Sequence, residues 1–360
     1  MSHEPPGLSD LDHYLMVVSS FIQYFDVSCS FLSQLTSDLC SIPQKHQDLI
    51  VKYKTKLEVI ESCARTNGEF LTVVAKNGVT EEIRSKFQTA LRGELFLSSD
   101  QHDKVNSTLK SLFREWSDGG DLERRQSFQP LLDAVITHFA NDALEERSQR
   151  KVLVPGSGLG RLVYEFASLG FDTLGIEFSF FMILMSGFVL NSTTKDEYTI
   201  YPFSHSLSNV KSNSDILSPV TIPNVNTADF RGDGQGQMCV CAGDFVDVFG
   251  ENEKEFDALA TCFFMDTAQN VVEYVEIIHK ILKDDGIWVN IGPLSYHWSR
   301  EAGSVGFISI ELSHEELMEV ITSYGFKILK HEWRRCQYAQ HPSSLRRNEY
   351  DCFYFEAVKQ

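Results

Sequence analysis

The chain has 360 residues and carries 50 acidic against 32 basic side chains, so its net charge is −18. This surplus of negative charge repels a phosphate backbone, and the basic residues cluster only at Arg334-Arg335 and Arg346-Arg347, so we expect no nucleic acid partner. The eight cysteines are scattered without a C-x-x-C pair, and no apolar run is long enough to cross a bilayer, which disfavours a disulfide framework, a zinc site and a membrane protein.

The first part of the chain has the apolar spacing of helices. From about Leu8 to Phe139 apolar residues recur at intervals of three and four, with clear segments at Leu49–Ile60, Ile83–Leu95 and Leu131–Phe139. The start, MSHEPPGLSD, lacks a basic segment followed by an apolar one, so we expect a soluble, cytoplasmic protein, with the nucleus as the alternative compartment. We predict an N-terminal helical region at 1–147 and a second unit at 148–360.

A glycine-rich turn opens this second unit. Residues 151–161, KVLVPGSGLGR, predict a short buried strand that runs into a turn with Gly156, Gly158 and Gly160. A dinucleotide fingerprint requires a further glycine where the chain has Arg161, and no Gly-Lys-Ser/Thr follows, as a P-loop requires. The turn indicates a nucleotide-binding sheet but does not favour a ligand with a pyrophosphate.

Strands and helices alternate after the turn, which predicts an α/β fold with a doubly wound, Rossmann-like sheet and an N-terminal α-helical extension. A stretch at 191–237 that is rich in Ser, Thr, Asn and Gly predicts an insertion. Ser313 and Glu316 form a capping box for one of the helices. The predicted helices are Arg161–Leu169, Asn270–Leu282 and His314–Ser323, and the predicted strands are Val152–Pro155, Asp172–Ser179, Met238–Phe245, Phe256–Phe264, Gly286–Leu294, Phe326–Trp333 and Cys352–Val358, one of the last two antiparallel.

Polar residues follow successive strands of this sheet. In open α/β sheets ligands bind beyond the carboxyl ends of the strands, so we expect the segments at Gly156, Glu177, Asp244 and Asp266 to converge. Glu177, about twenty residues after the glycines, is placed to accept hydrogen bonds from both ribose hydroxyls of an adenosine. Asp244 can accept from an adenine amino group while the ring of Phe245 packs on the base. S-adenosylmethionine requires these contacts and no phosphate cradle.

Six longer stretches resemble carnosine N-methyltransferases, a class I S-adenosylmethionine-dependent family. The resemblance covers roughly residues 110–355, and it implies methylation of the imidazole of carnosine, a small dipeptide, to give anserine. The matching stretches are REWS (114–117), VLVPGSGLGRL (152–162), EFSFFM (177–182), AGDF (242–245), ATCFFMDTAQN (260–270) and IWVNIGPLSYH (287–297).

The resemblance assigns roles to particular residues. Its dipeptide contacts fall on Asp266, His297 and Tyr350, which we take as the candidate catalytic residues. A family glutamine is Ser111 here, and a second substrate-side tyrosine is Asn348. The cofactor contacts implied by the resemblance are Arg114, Gly156, Glu177, Asp244, Phe245 and Cys262, and the turn itself adds Gly158.

The chemistry suits these residue types. Methyl transfer from a sulfonium is an in-line displacement, and imidazole, with a pKa of about 6.5, is largely neutral at pH 7. Asp266 can accept the N–H of one ring nitrogen, so that the other presents its lone pair, and can stabilise the cation that forms. Asp266 can also cap a helix that begins near Thr267. His297 can hold the ring or the dipeptide carboxylate, and Tyr350 can close the pocket.

Other functions stay open from the sequence. They are methylation of histidine in a protein, a cofactor-binding scaffold without catalysis, and a nicotinamide oxidoreductase, which Arg161 disfavours. The N-terminal helices either cover the cofactor, with Arg114 on its methionine carboxylate, or form a homodimer surface. The residues do not choose between these roles, and they do not show which imidazole nitrogen is methylated.

Overall fold

The computed structural model describes residues 9–80, 83, 99–227, 236–300 and 308–360. Most of the predicted helix Ile83–Leu95 lies outside these residues. Within them the helices are α1 Asp10–Ile22, α2 Tyr24–Ser41, α3 Gln44–Gln47, α4 Val51–Gly78, α5 Ser99–Trp116, α6 Asp121–His138, α7 Leu144–Arg147, α8 Arg161–Ser168, α9 Phe180–Ser192, α10 Asn213–Ile216, α11 Phe245–Phe249, α12 Val271–Ile281 and α13 His314–Ser323. The strands are β1 Lys151–Pro155, β2 Asp172–Glu177, β3 Tyr198–Ile200, β4 Val220–Ile222, β5 Met238–Ala242, β6 Phe256–Cys262, β7 Leu282–Gly292, β8 Phe326–Gln337 and β9 Glu349–Lys359.

The main sheet has seven strands in the order β5-β2-β1-β6-β7-β9-β8. The first five of these are parallel to one another, and β9 is antiparallel to both β7 and β8. The chain proceeds outward from β1 to β2 and β5 and then returns to β6 on the other side of β1. This reversal is the switch point at which doubly wound sheets bind ligands. The strand order confirms the predicted fold class, and the pairing of β9 confirms the predicted antiparallel strand.

Several predicted boundaries are wrong. Helix α4 continues far beyond the predicted end at Ile60, because residues further along it bury the same face against α1 and α2. Strand β6 ends at Cys262, since Phe263 has a φ of 53°, outside the extended region. Strand β5 ends at Ala242, since Asp244 caps the short helix that follows.

Among the described residues the core lies in three large clusters, with a small fourth cluster between α2 and α4. One face of the sheet packs on α11, α12 and α13, and the other packs on α6 and α8. The third cluster joins α1, α4 and α5 to α9 and to the antiparallel pair β3–β4, which lies inside the predicted insertion 191–237. The described part of the insertion therefore completes the helical layer instead of projecting from it.

No single helix in the described part of the chain is long and apolar enough to cross a membrane. Helices α1 and α2 reach the required length together, with a bend of 56° between them.

Trp116 joins the helical layer to the glycine turn. Its side chain is fully buried, and its indole Nε1 donates to the Leu159 carbonyl oxygen at 3.0 Å. The guanidinium of Arg161 lies 5.0 Å from the centre of the ring. A buried aromatic ring with a satisfied N–H and a cation on its face is a strong anchor.

We predict that Trp116→Ala lowers the free energy of unfolding by about 3–5 kcal/mol, the usual cost of truncating a buried aromatic side chain. Urea denaturation measures the change. Leu122→Ala is the control, because Leu122 is 48% exposed, and its change should stay within about 0.5 kcal/mol. Equal changes for the two variants would contradict the anchoring role.

Candidate active site

The carboxyl ends of β1, β2, β5 and β6 lie at one edge of the sheet, since these strands are parallel and adjacent. The segments that carry Gly156, Glu177, Asp244 and Asp266 follow these ends directly, as predicted. Glu177 lies closest to the glycine turn. Its carboxylate accepts from the backbone N–H of Gly158 at 2.8 Å and of Ser179 at 2.9 Å.

The turn requires its glycines. Gly156, Gly158 and Gly160 have φ values of +64°, +56° and +80°, in the left-handed region that side chains disfavour. A Cβ on Gly156 would lie 2.8 Å from the ring of Phe264, and one on Gly158 would lie 2.7 Å from Glu115 Oε1. The turn is thus closed on two sides by side chains that approach the backbone.

Glu115, which the sequence analysis did not select, occupies the anion position of the turn. One carboxylate oxygen accepts from the backbone N–H of Leu159 at 3.1 Å and of Arg161 at 3.3 Å, at the start of α8. Dinucleotide-binding folds place a pyrophosphate at a helix N-terminus of this kind. Here a buried carboxylate from α5 fills the position, which agrees with the prediction of a ligand without a pyrophosphate. The sequence signal that could have found Glu115 is the stretch REWS, in which Glu115 follows Arg114.

The two carboxyl groups beside the turn hold protons more tightly than usual. Burial raises the pKa of Glu177 to about 7, against the lowering effect of its backbone hydrogen bonds, and the nearby Glu115 raises it further. Burial also raises the pKa of Glu115, against the attraction of Arg114. A ligand that donates hydrogen bonds or brings positive charge favours the ionised form of both groups.

Arg114 is buried at the same edge between acidic and aromatic groups. Its guanidinium lies 3.7 Å from Glu115 and 3.6 Å from Glu123, both longer than ordinary hydrogen bonds. The ring centre of Tyr338 is 4.7 Å from the guanidinium carbon. These loose contacts leave donors of Arg114 able to hold a further carboxylate.

An aromatic wall stands next to Arg114. Phe263, in its left-handed conformation, packs against Tyr338 at 4.8 Å and lies 6.1 Å from Tyr350, between ring centres. Strained backbone of this kind in a residue other than glycine is typical of functional sites. Cys262, immediately before it, is half-buried, and burial raises the pKa of its thiol to about 12, so the thiol is neutral at pH 7.

Tyr338 was also missed by the sequence analysis. It is 37% exposed, and the backbone around it is held by Glu123, whose carboxylate accepts from Ala339 N at 2.9 Å and Gln340 N at 2.7 Å. Glu123 comes from α6 and the tyrosine from the end of β8, more than two hundred residues later, so no local pattern could have paired them.

Asp244 and Phe245 have different surroundings from those expected. Asp244 caps α11, accepting from Val246 N at 2.8 Å and Asp247 N at 3.3 Å. The ring of Phe245 lies in the core, 5.4 Å from Phe264 between ring centres, and is only 3% exposed. Such a ring offers a base at most its edge, which corrects the expectation that it packs on the base.

Asp266 and His297 are brought together. Asp266 lies buried in a 3-10 turn after β6, and its Oδ2 accepts from Ser295 N at 2.9 Å. Its backbone oxygen accepts from His297 N at 3.0 Å. Burial raises the pKa of Asp266, and the neighbouring His297 opposes that effect. Burial lowers the pKa of His297, so the imidazole is largely neutral at pH 7.

Asp266 is not a helix cap, contrary to the sequence-based alternative. The helix begins at Val271, and Asn270 caps it by accepting from Val272 N at 3.2 Å. Asp266 instead fixes the segment that follows β7. A capping role therefore does not explain why Asp266 is buried.

The comparisons with known proteins decide the family. The family model described as carnosine N-methyltransferase matches residues 93–360. The chain belongs to the carnosine N-methyltransferase family. Its Rossmann-like sheet with an N-terminal helical extension is that of a class I methyltransferase that uses S-adenosylmethionine.

Curated relatives align along nearly the whole chain. The carnosine N-methyltransferase of Dictyostelium discoideum is 34% identical over 97% of this chain and 77% of its own length. The carnosine N-methyltransferase unmet of Drosophila melanogaster is 35% identical, covering 96% and 79%. That of Schizosaccharomyces pombe is 34% identical, covering 88% and 87%. Among solved structures, a methyltransferase from Methanosarcina mazei is 14% identical, covers 58% of this chain and 92% of its own, and has a TM-score of 0.38.

Gly158→Ala should weaken S-adenosylmethionine binding strongly and destabilise the fold by more than about 1 kcal/mol, since alanine is strained at positive φ and its Cβ would meet Glu115. Gly187→Ala is the matched control, because a Cβ there has no atom within 4 Å. In the middle of α9 that change should stabilise the protein by up to about 1 kcal/mol. Calorimetry and thermal unfolding measure both. Similar affinities for the two variants would refute the close approach at Gly158.

Cofactor affinity should depend on pH through Glu177. Its pKa is about 7 in the unliganded protein. Below that pH a proton on the carboxylate competes with the ribose hydroxyls for the same oxygens. Affinity should therefore fall as the pH drops below 7, approaching about tenfold per pH unit. Glu177→Gln should bind S-adenosylmethionine more weakly than the wild type at pH 8. Its affinity should lose the pH dependence that protonation of Glu177 causes. A wild-type affinity that is equal at pH 5.5 and 8 would contradict the assignment.

Proposed function

We propose that this protein transfers the methyl group of S-adenosylmethionine to the imidazole of carnosine, giving anserine. The observation that carries the proposal is the pairing of buried Asp266 with His297 at the ligand edge of the sheet. It stands beside a cofactor site that has carboxylates where dinucleotide enzymes bind phosphate. The near full-length match to carnosine N-methyltransferases supports the choice of substrate.

The charges at the edge fit this cofactor. S-adenosylmethionine carries a sulfonium, an ammonium and one carboxylate, whereas a nicotinamide dinucleotide carries two phosphates. Glu115, Glu177 and Asp266 favour the first charge pattern and repel the second. We assign Glu177 to the ribose hydroxyls, Arg114 to the methionine carboxylate and Asp244 to the adenine end. When bound, S-adenosylmethionine supplies an electrophilic methyl group on a positively charged sulfur.

Asp266 orients the acceptor. Neutral imidazole carries one N–H and one bare nitrogen, and a carboxylate that accepts the N–H directs the lone pair of the other nitrogen away from itself. Attack on the methyl group makes the ring a cation. The fixed Asp266 carboxylate then gains interaction as the charge develops, which stabilises the transition state more than the ground state. No proton has to be removed before the attack.

The other side chains position the dipeptide and exclude water. His297 is bonded to the turn of Asp266 through its backbone, which supports its assignment to hold the ring or the carboxylate of carnosine. Phe263, Tyr338 and Tyr350 form an aromatic wall beside Arg114, and we propose that the imidazole packs against it. The family's second substrate-side tyrosine is Asn348 in this chain, and we propose that Tyr338 supplies the aromatic ring instead.

We further propose that the N-terminal helices cover the cofactor. Glu115 and Trp116 reach the turn from α5, and Arg114 lies beside Glu115, which supports the covering role over a role confined to dimerisation. A homodimer through the outer helices and a cytoplasmic or nuclear location remain predictions.

Mass spectrometry tests the activity directly. Carnosine incubated with the protein and S-adenosylmethionine should gain the mass of one methyl group. The product should co-elute with an anserine standard rather than with the isomer of equal mass that carries the methyl on the other ring nitrogen. No gain on carnosine, together with methylation of a histidine in an added protein, would assign the enzyme to protein-histidine methylation. No transfer to either acceptor would leave a cofactor-binding scaffold.

Asp266→Asn should lower turnover on carnosine by about two to three decades, the usual effect of losing one preorganised charged partner, with little change in S-adenosylmethionine affinity. Asparagine keeps the size and an oxygen for Ser295 N. The matched control is Asn270→Ala, which removes the real helix cap. It should cost about 1 kcal/mol of stability and leave turnover of the folded protein near normal. Normal turnover in Asp266→Asn would remove Asp266 from the mechanism.

A further inference from the structure

Two thiols lie side by side on the edge of the sheet. Strand β5 pairs with β2 alone within the described residues. Cys239 and Cys241, two positions apart on β5, point to the same face of the sheet, and both are exposed. Their Sγ atoms are 3.4 Å apart. The sequence analysis looked for C-x-x-C pairs and gave no weight to this C-x-C arrangement.

The remaining cysteines offer no comparable reactive pair in the described structure. Cys336 and Cys352 are neighbours on β8 and β9 but are buried in the core, where an oxidant does not reach them. Cys40 is exposed but lies on α2, in another part of the molecule. The β5 pair therefore combines proximity with access.

We propose that Cys239 and Cys241 form a reversible oxidation site that takes small disulfide oxidants of the glutathione disulfide class. One thiolate attacks the oxidant, forms a mixed disulfide and releases one small thiol. The second thiolate then displaces the other small thiol and closes an S–S bond between the two cysteines. The protein loses two hydrogens, and the oxidant is reduced to two thiols.

The closed form strains the strand, which makes the bond easy to reduce. Residues two apart on a strand have Cα atoms about 6.6 Å apart, near the upper limit of about 6.8 Å for a disulfide. Closing the bond at the usual Cα separation of about 5.5–6 Å draws β5 together. The edge of β5 that has no strand partner among the described residues allows this. Strained, exposed disulfides have the higher reduction potentials that suit a labile site.

The strand carries this distortion toward the cofactor site. Ala242, the last residue of β5, is in register with Glu177, and Gly243 N donates to the Glu177 backbone oxygen at 2.9 Å. Asp244 follows directly. Glu177 and Asp244 are cofactor contacts in the proposed function, so the predicted effect on affinity rests on that proposal, whereas the oxidation site itself does not.

The reaction should be faster at higher pH, since the thiolate is the attacking species. Burial and the neighbouring Cys241 thiol raise the pKa of Cys239. At a given oxidant concentration, bond formation should therefore accelerate between pH 7 and pH 9.

The test uses the full-length protein, reduced and then incubated with oxidised glutathione. Peptide mass mapping after alkylation should show a loss of two hydrogens in the segment with both cysteines. Cys239→Ser and Cys241→Ser should each retain a glutathione adduct on the remaining thiol, whereas Cys40→Ser should behave like the wild type. Stable adducts on both β5 thiols of the wild type, without the closed bond, would overturn the site.

Calorimetry then measures S-adenosylmethionine affinity before and after oxidation. We expect the oxidised wild type to bind about fivefold more weakly or worse, the lower range of ordinary coupling between sites. Dithiothreitol should restore the affinity, and Cys239→Ser should show no change. Unchanged affinity in the closed form would overturn the link to the cofactor. If the reduced protein binds no S-adenosylmethionine, the proposed function fails, while the mass measurement still decides the oxidation site.

Discussion

Two carboxylates beside one glycine turn, the buried Glu115 and the half-buried Glu177, are the constraint on which the site depends. Glu177 holds the turn from the sheet through Gly158 N and also accepts from Ser179 N, and Glu115 holds it from α5 through Leu159 N and Arg161 N. Burial of two acids next to each other costs free energy, which the raised pKa of both groups expresses. A cationic cofactor that donates hydrogen bonds relieves this cost, and a phosphate increases it. In the proposed function the same feature thus rigidifies the turn and selects its ligand.

In the proposed function the helical layer is part of the active site for the same reason. A turn whose anion position is filled by Glu115 can form only when α5 is docked, and Trp116 fastens that docking through its bond to Leu159. Arg114, one position earlier on α5, is carried to the edge of the sheet with them. The long α4 and the β3–β4 pair complete the layer by burying its apolar face. Loss of this packing would therefore alter cofactor binding as well as stability.

The far end of the chain closes the other side of the site. The antiparallel β8 and β9 bring Tyr338 and Tyr350 beside Phe263, and α6 fixes the connection through Glu123. Glu123 also faces Arg114, so one acid positions both the cation and the aromatic wall above it. The proposed acceptor site is in this way assembled from three distant segments, whereas the proposed cofactor site is built mainly on the first half of the sheet.

The sequence by itself determined the alternation of strands and helices, the spacing of the glycines and the positions of Glu177 and Asp266 after successive strands, because strand and turn patterns are local and parallel strands end at one edge. It also carried the stretches that identify the family. Only the tertiary structure decided that Glu115 fills the anion position, that the ring of Phe245 lies in the core and that Asn270, not Asp266, caps α12. The physical reason is that burial, the raised pKa of an acid and the meeting of Tyr338 with Arg114 depend on residues far apart in the chain, and no spacing rule records which of them come into contact.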